Sequence, residues 1–240
     1  MVDILVFKTL KLIWRDKTMD NIEKLIRERH SVRSYLDKEI EKEKVNEINK
    51  LICEINEKEN LNIQLILNDN EAFDKFILHY GKIKNCKNYI ALVGNKSAIL
   101  EEKVGYYGQQ LVLKAQELGL NTCWVAGTYN KKSVKAKINA NEKLVCIIAI
   151  GYGETNGNIR KSKNIEDVSI SKQYPDWYKR GIEFALLAPT AVNQQKFKFE
   201  YISDNDVKAV AGKGPYTKID LGIVKYHFEL GSGKKINWIK

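Results

Sequence analysis

The residues best suited to holding a ligand fall in three groups, far apart in a chain of 240 residues. The first is Arg29-His30-Ser31-Val32-Arg33, two guanidiniums with an imidazole and a hydroxyl between them. Arginine grips phosphate oxygens bidentately, so this run makes a compact anion site. A basic helix end favoured by the helix dipole would have the same composition. The second group is Pro189-Thr-Ala-Val-Asn-Gln-Gln195, a turn offering backbone N–H groups, a hydroxyl and side-chain amides without charge. Such a surface suits the edge of a polar aromatic heterocycle, which needs directional hydrogen bonds at close range. An ordinary helix stop and turn fits these residues equally well. The third is Asn158-Ile-Arg-Lys-Ser-Lys163, a basic segment without apolar periodicity. It could close on the same anion as Arg29 and Arg33, or be a solvated linker.

Other chemistries are poorly served. No Ser-His-Asp set and no metal or redox spacing is present. Cys53, Cys86, Cys123 and Cys146 are far apart, mostly in apolar runs, and read as reduced core residues of a cytoplasmic protein. Gly151-Tyr-Gly-Glu-Thr-Asn-Gly157 suggests a dinucleotide loop, but a Rossmann loop must open a helix, and here the basic segment follows. The net charge of +10 comes from 40 basic and 30 acidic residues, and only six of the basic ones are Arg. Runs such as Lys38-Glu39-Ile40-Glu41-Lys42-Glu43-Lys44 interleave the signs, as on a solvated helix surface. A nucleic-acid scaffold has charge alone in its favour, with no recognition motif. In residues 1–18, Lys8, Lys11 and Arg15 interrupt the apolar run. A signal-peptide core and a membrane span of about 20 apolar residues are thereby excluded, and a short appendage is expected.

Periodicity supplies the elements that must position these groups. Helices are expected over roughly Asn21–Arg29, Glu41–Glu57, Glu71–Tyr80, Glu101–Leu118 and Lys131–Ile138. Strands are expected over Leu61–Leu67, Tyr89–Gly94, Asn121–Tyr129 and Lys143–Ile150, the last apolar from Leu144 onward. A linker at Asn164–Gln173 leads to a helix opened by Pro175, and Lys196–Ser203 follows as a strand with Phe197, Phe199 and Tyr201 alternating. A short helix, a Gly212–Pro215 turn, a helix over Lys218–Leu230 and a strand over Lys235–Ile239 complete the chain.

The order helix, strand, helix occurs twice, over 44–119 and 178–231. Gly108 aligns with Gly222, and Glu117-Leu118-Gly119 with Glu229-Leu230-Gly231. This ordered match suggests a duplicated unit.

Taken together, the motifs resemble the nitroreductase family of FMN-dependent flavoproteins. Arg29–Arg33 is similar to its phosphate motif and Ala188–Gln195 to its Ala-Pro-Ser-x-x-Asn-x-Gln loop. Gly119–Gly127 is similar to its Gly-Leu-Gly-Thr-Cys-Trp strand end, and Ile150–Tyr152 with the basic run to its C-terminal segment. The loop, however, comes about 160 residues after Arg29, where the family has it close by. A fused pseudo-dimer similar to the single-chain subgroup of "putative TM nitroreductases" accounts for that order. The resemblance implies an α+β layered fold, its mixed, mostly antiparallel sheet flanked by helices. It also implies an appendage at 1–18, a first half at 19–163 and a shortened second half at 172–240.

It further implies that Arg29, Ser31, Lys161 and Lys163 hold the FMN phosphate, with His30 and Arg33 flanking the ribityl chain. Pro189, Thr190, Ala191, Asn193 and Gln195 would line the isoalloxazine, and the backbone of Val125, Ala126 and Gly127 its pyrimidine edge and N5. The flavin would carry the chemistry, so no catalytic side chain and no metal is implied. NADH or NADPH would be the donor and a nitroaromatic or quinone the acceptor, in a ping-pong sequence run by a monomer without nucleic-acid or membrane partners. The alternative is a flavin-binding protein without turnover, for sensing or storage.

Overall fold

The computed structural model of the chain describes residues 19–73 and 82–239. They fall into two compact units. A central unit comprises Arg29–Ile159, and a terminal unit joins the segment ending at Glu28 to Arg160–Lys240. These boundaries differ from the expected 19–163 and 172–240. Helix α1 (Met19–Glu28) belongs with the C-terminal residues because Ile22 and Ile26 are buried and Glu23 accepts a 3.2 Å hydrogen bond from Arg180.

In the central unit the apolar strands β2 (Tyr89–Asn95) and β4 (Glu142–Gly151) pair antiparallel, with Tyr89 opposite Ala149 and Asn95 opposite Glu142. Strands β1 (Gln64–Ile66) and β3 (Asn121–Val125) complete an antiparallel sheet of order β1-β2-β4-β3. On one face Tyr89, Ala91, Val93, Ile147 and Ala149 pack with Val32, Tyr35, Phe73 and Tyr129. The alternate residues Ile90, Leu92, Cys146 and Ile148 are also buried. Burial of both faces explains why these strands read as unbroken apolar runs. Helix α2 (Lys42–Glu59) buries Ile48, Leu51, Ile52 and Ile55, the stripe that its periodicity sets. Helix α3 (Leu100–Glu117) approaches the sheet closely at Gly108, where a Cβ would lie 2.6 Å from the Trp124 ring and 3.0 Å from Leu92.

The terminal unit contains α4 (Ile165–Val168), α5 (Asp176–Leu187), β5 (Phe197–Tyr201), β6 (Asp206–Ala211), α6 (Thr217–Ser232) and β7 (Asn237–Ile239). Strand β5 pairs antiparallel with β6, and β6 parallel with β7. Helix α6 is buried along almost its whole length. It sits tightly on α5 because Gly181 faces the Phe228 ring and Gly231 faces Phe184.

The α+β class holds, with helices flanking mostly antiparallel strands, but the strands form two sheets. Elements that differ from the sequence reading include α4, which lies in the expected linker at Asn164–Gln173. Asp206–Ala211 is a strand and not a short helix, since Val207 and Ala209 alternate into the core on a period of two. At Lys131, one 3-10 turn ends at Ser133, where the Asn130 side chain caps the turn and the chain becomes extended. The expected helix at 71–80 is a 3-10 turn at Glu71–Phe73, and its remainder lies outside the described residues.

Candidate functional site

Main-chain hydrogen bonds fix the Arg29–Arg33 segment in the central unit. Ser31 bridges Thr122 in parallel, and the Val32 N–H donates to the Thr122 carbonyl at 3.1 Å. The Arg33 carbonyl accepts from Lys84 at 2.7 Å, and Leu36 donates to the Tyr152 carbonyl at 2.7 Å. The segment is thereby laid along β3, three residues before Val125, so the expected phosphate group and strand end occupy neighbouring chain. The glycine loop serves this contact. A Cβ on Gly157, whose φ is +79°, would fall 2.7 Å from the His30 Cβ and 3.2 Å from the Ser31 carbonyl. At Gly153 a Cβ would meet Val32 at 2.7 Å and the Asn121 amide oxygen at 2.9 Å. Gly157 admits the His30–Ser31 chain and Gly153 the Val32 and Asn121 side chains, where in a Rossmann loop such glycines would admit a pyrophosphate.

Arg29 is only 4% exposed, whereas Arg33 is exposed. Burial raises the Cys123 thiol pKa, while the guanidiniums of Arg33 and Arg29 and the Ser31 hydroxyl pull it down. Both arginines therefore project positive potential onto one point of β3. The chemistry of this donor set fits a phosphate group: two planar guanidiniums, a hydroxyl and an imidazole, held on a rigid backbone.

The terminal unit assembles the other candidates. Thr190 to Gln195 form a compact turn in which Val192, Asn193 and Gln195 have φ of 44°, 54° and 43°. A β-branched residue in that region is strained, and Val192 is 73% exposed. Its side chains and N–H groups brace the turn. Gln195 is buried; its amide donates to Ser162 and to the Leu186 carbonyl, both at 3.0 Å, and its Oε1 accepts from the Lys163 N–H at 2.8 Å. The Gln195 N–H donates to the Thr190 hydroxyl at 3.1 Å. The Asn193 amide donates to the Lys161 carbonyl at 2.8 Å, and its oxygen accepts from Arg160 at 3.1 Å. Lys163 Nζ donates to the Gln195 carbonyl at 2.9 Å. The structure thus brings Lys161 and Lys163 to the loop, and the turn has fewer open donors than its composition suggests.

Asp220, which sequence reasoning missed, and Arg160, seen only as part of a basic run, anchor this loop. Asp220, 3% exposed on α6, accepts from the Ala191 N–H at 3.0 Å and from the Gln194 amide at 2.8 Å. Burial pushes its pKa up to about 6 against the opposing effect of those donors and of Arg160. Arg160 also donates to the Leu186 carbonyl at 3.3 Å and to that of Ala188, and burial lowers its pKa to about 10. An acidic residue on an otherwise apolar helix face was the available signal for Asp220. Arg160 was hidden in a basic run.

The fold is of the α+β class, and comparison with known proteins specifies the family. Residues 21–232 match the family model described as "Putative TM nitroreductase", and the chain belongs to that family. A putative nitroreductase from Thermotoga maritima MSB8 superposes with a TM-score of 0.65 at 22% identity, covering 90% of this chain and 85% of its own. A putative nitroreductase from Desulfovibrio desulfuricans in complex with FMN gives 0.51 at 20% identity, over 64% of this chain and 98% of its own. A putative NADH dehydrogenase/NAD(P)H nitroreductase from Bacteroides thetaiotaomicron gives 0.50 at 20% identity, again over 64% and 98%. These likenesses show the fold. No curated protein matches the chain. Among the described residues no helix is long and apolar enough to cross a membrane.

Proposed function

We propose that the chain, a nitroreductase-type oxidoreductase by family, is an FMN-dependent NAD(P)H oxidoreductase of the cytoplasm that reduces nitroaromatics or quinones. The observation that carries this reading is the Arg29–Arg33 segment, locked along β3 with both guanidiniums acting on the Cys123 position. FMN, when bound, would supply the redox chemistry, hydride transfer from NADH or NADPH to the acceptor in ping-pong order. The protein's part is to bind and orient. Arg29 and Ser31 would hold the phosphate, His30 and Arg33 would flank it towards the ribityl chain, and the Val125–Gly127 backbone would offer its polar groups to the ring edge. Pro189, Thr190, Ala191 and Asn193 are proposed to line a flavin ring, with Gln195 and Lys163 keeping that loop in shape. Lys161, beside that loop, is proposed as a phosphate-binding cation. The duplicated, single-chain organisation is proposed with it, and implies a monomer.

The test is the visible spectrum of the purified protein, before and after anaerobic addition of NADH or NADPH. Bands near about 370 and 450 nm that bleach support the reading. Bands that persist favour a flavin-binding protein without turnover. The double variant Arg29→Glu, Arg33→Glu is expected to lose FMN, and unchanged occupancy would remove the phosphate assignment.

A further inference from the structure

The Thr190–Gln195 loop is strained at Val192 and tied near both ends to one carboxylate. Asp220 Oδ1 takes the Ala191 N–H at 3.0 Å, Oδ2 takes the Gln194 amide at 2.8 Å, and the side chain is almost out of solvent. The same Gln194 amide reaches the Pro215 carbonyl at 2.9 Å, so one side chain links the loop, α6 and the turn before α6. Only uncharged donors touch the carboxylate within hydrogen-bonding distance. The charge that bears on it from elsewhere is Arg160, whose hydrogen bonds go to Asn193 and to the Leu186 and Ala188 carbonyls. Elements packed on α6 carry Asp176, Lys179, Arg180 and Glu183 (α5), Lys198 and Glu200 (β5), Asp206 and Lys208 (β6) and Asp20, Glu23, Lys24, Arg27 and Glu28 (α1), and none of these is among the groups acting on Asp220.

We propose that Asp220 is a positioning residue that clamps the Thr190–Gln195 loop in its strained, closed form, and that the clamp is proton-linked. The direction follows from burial. With the loop closed, Asp220 is buried and its pKa stands raised, at about 6. When the loop lifts, the carboxyl meets water and returns towards the ordinary aspartate value of about 3.9. A carboxyl whose pKa is higher in the closed form stabilises that form fully below the open-form value, and the stabilisation is lost as pH rises through the closed-form value. Acid therefore closes the loop and neutral pH loosens it. A difference of about two pKa units corresponds to roughly a 100-fold change in the closed-to-open ratio. Any effect on flavin binding rests on the reading above, but the clamp is a property of the loop alone.

Amide hydrogen exchange of the full-length chain tests it, read at Ala191 and its loop neighbours from pH 4 to 8 and corrected for intrinsic exchange. The wild-type loop is expected to lose protection by tens- to 100-fold between about pH 4 and 6.5 and then level off. Asp220→Asn keeps an acceptor for Ala191 but cannot ionise, and is expected to show a flat profile. The variant Gln194→Ala leaves the buried carboxyl in place and removes a donor that favours its ionised form. Its transition is expected to move to higher pH. A flat wild-type profile, an unchanged slope in Asp220→Asn, or an unmoved midpoint in Gln194→Ala would each overturn the clamp. No step of this measurement needs flavin, so failure of the oxidoreductase reading would leave its outcome intact and would show separately in the spectrum.

Discussion

The two units hold their candidate residues by opposite means. In the central unit the Arg29–Arg33 segment is held by its backbone: Val32, Arg33 and Leu36 spend N–H or C=O groups on Thr122, Lys84 and Tyr152. In the terminal unit the Pro189–Gln195 loop is held by side chains, with Gln195, Gln194, Asn193, Arg160 and Asp220 all engaged. Backbone bracing holds the segment without drawing on the exposed Arg33 side chain. Side-chain bracing consumes the groups that composition alone would assign to one. Substitutions should therefore separate stability from ligand binding in the central unit and couple them in the terminal one.

The largest effect is expected where the sequence echo pairs two glycines, Gly119 and Gly231. Gly119 follows helix α3 with φ of +74° and has nothing within 4 Å of a Cβ position. Gly231 lies inside α6, and a Cβ there would fall 2.6 Å from the Arg180 carbonyl and 2.6 Å from the Phe184 Cβ. The clash is with backbone, so a flexible side chain cannot relieve it. Gly231→Ala is expected to cost about 3 kcal/mol in denaturant unfolding, for overpacking between helices. Gly119→Ala should cost about 1 kcal/mol, for a left-handed alanine. Equal losses would mean that the matched spacing reflects matched structural roles. The left-handed glycine after α6 is Gly233, two residues beyond the echo.

Gln195→Ala and Arg33→Ala sharpen the contrast further. The first leaves the Lys163 N–H without its acceptor beneath the loop and removes a donor from the Ser162 hydroxyl and the Leu186 carbonyl, which stay bonded to each other. About 2 kcal/mol of stability should be lost, along with loop protection in hydrogen exchange. Arg33 is exposed, and its carbonyl, which the substitution keeps, is what binds Lys84. Arg33→Ala should stay within about 0.5 kcal/mol of wild type while weakening FMN binding. A stability loss at Arg33 equal to that at Gln195 would erase the distinction between the two modes of support.

How much of this was legible follows from the same distinction. The apolar periods of α2, α3, β2 and β4 fixed these elements because packing against one or two faces leaves a repeating trace. The Arg29–Arg33 and Gly151–Gly157 motifs could be seen, but not that the glycines make room for His30 and Val32. That depends on a contact between chain segments over 100 residues apart. Strand β6 carries a legible alternation in Val207 and Ala209, weakened by the single small side chain of alanine. The loop's composition was plain, yet the destination of its amides was not. A hydrogen bond from Gln194 to Asp220 has no periodic signature.

The smallest effect compares two carboxylates, one in each unit. Asp220 is raised because burial outweighs its donors. Glu41 is exposed and is lowered to about 2, chiefly by the hydrogen bond from the Tyr152 hydroxyl and further by Lys38. Lys44 donates to the same hydroxyl at 2.7 Å, and Lys38 lies 3.9 Å from the centre of the Tyr152 ring. The signs are opposite. A depressed carboxyl contributes stability above its unfolded value of about 4.3, and that contribution is lost as pH falls through the folded value near 2. Asp220 contributes in the other direction, losing its stabilisation as pH rises towards 6. Tyr152→Phe removes the main cause at Glu41 and leaves the ring under Lys38. Its titration by NMR should move up towards the ordinary range, with a small loss of stability near neutral pH that fades on acidification. Asp220 in the same variant should titrate as before. If Glu41 stayed near 2 without the hydroxyl, the lysines and not Tyr152 would be holding it down.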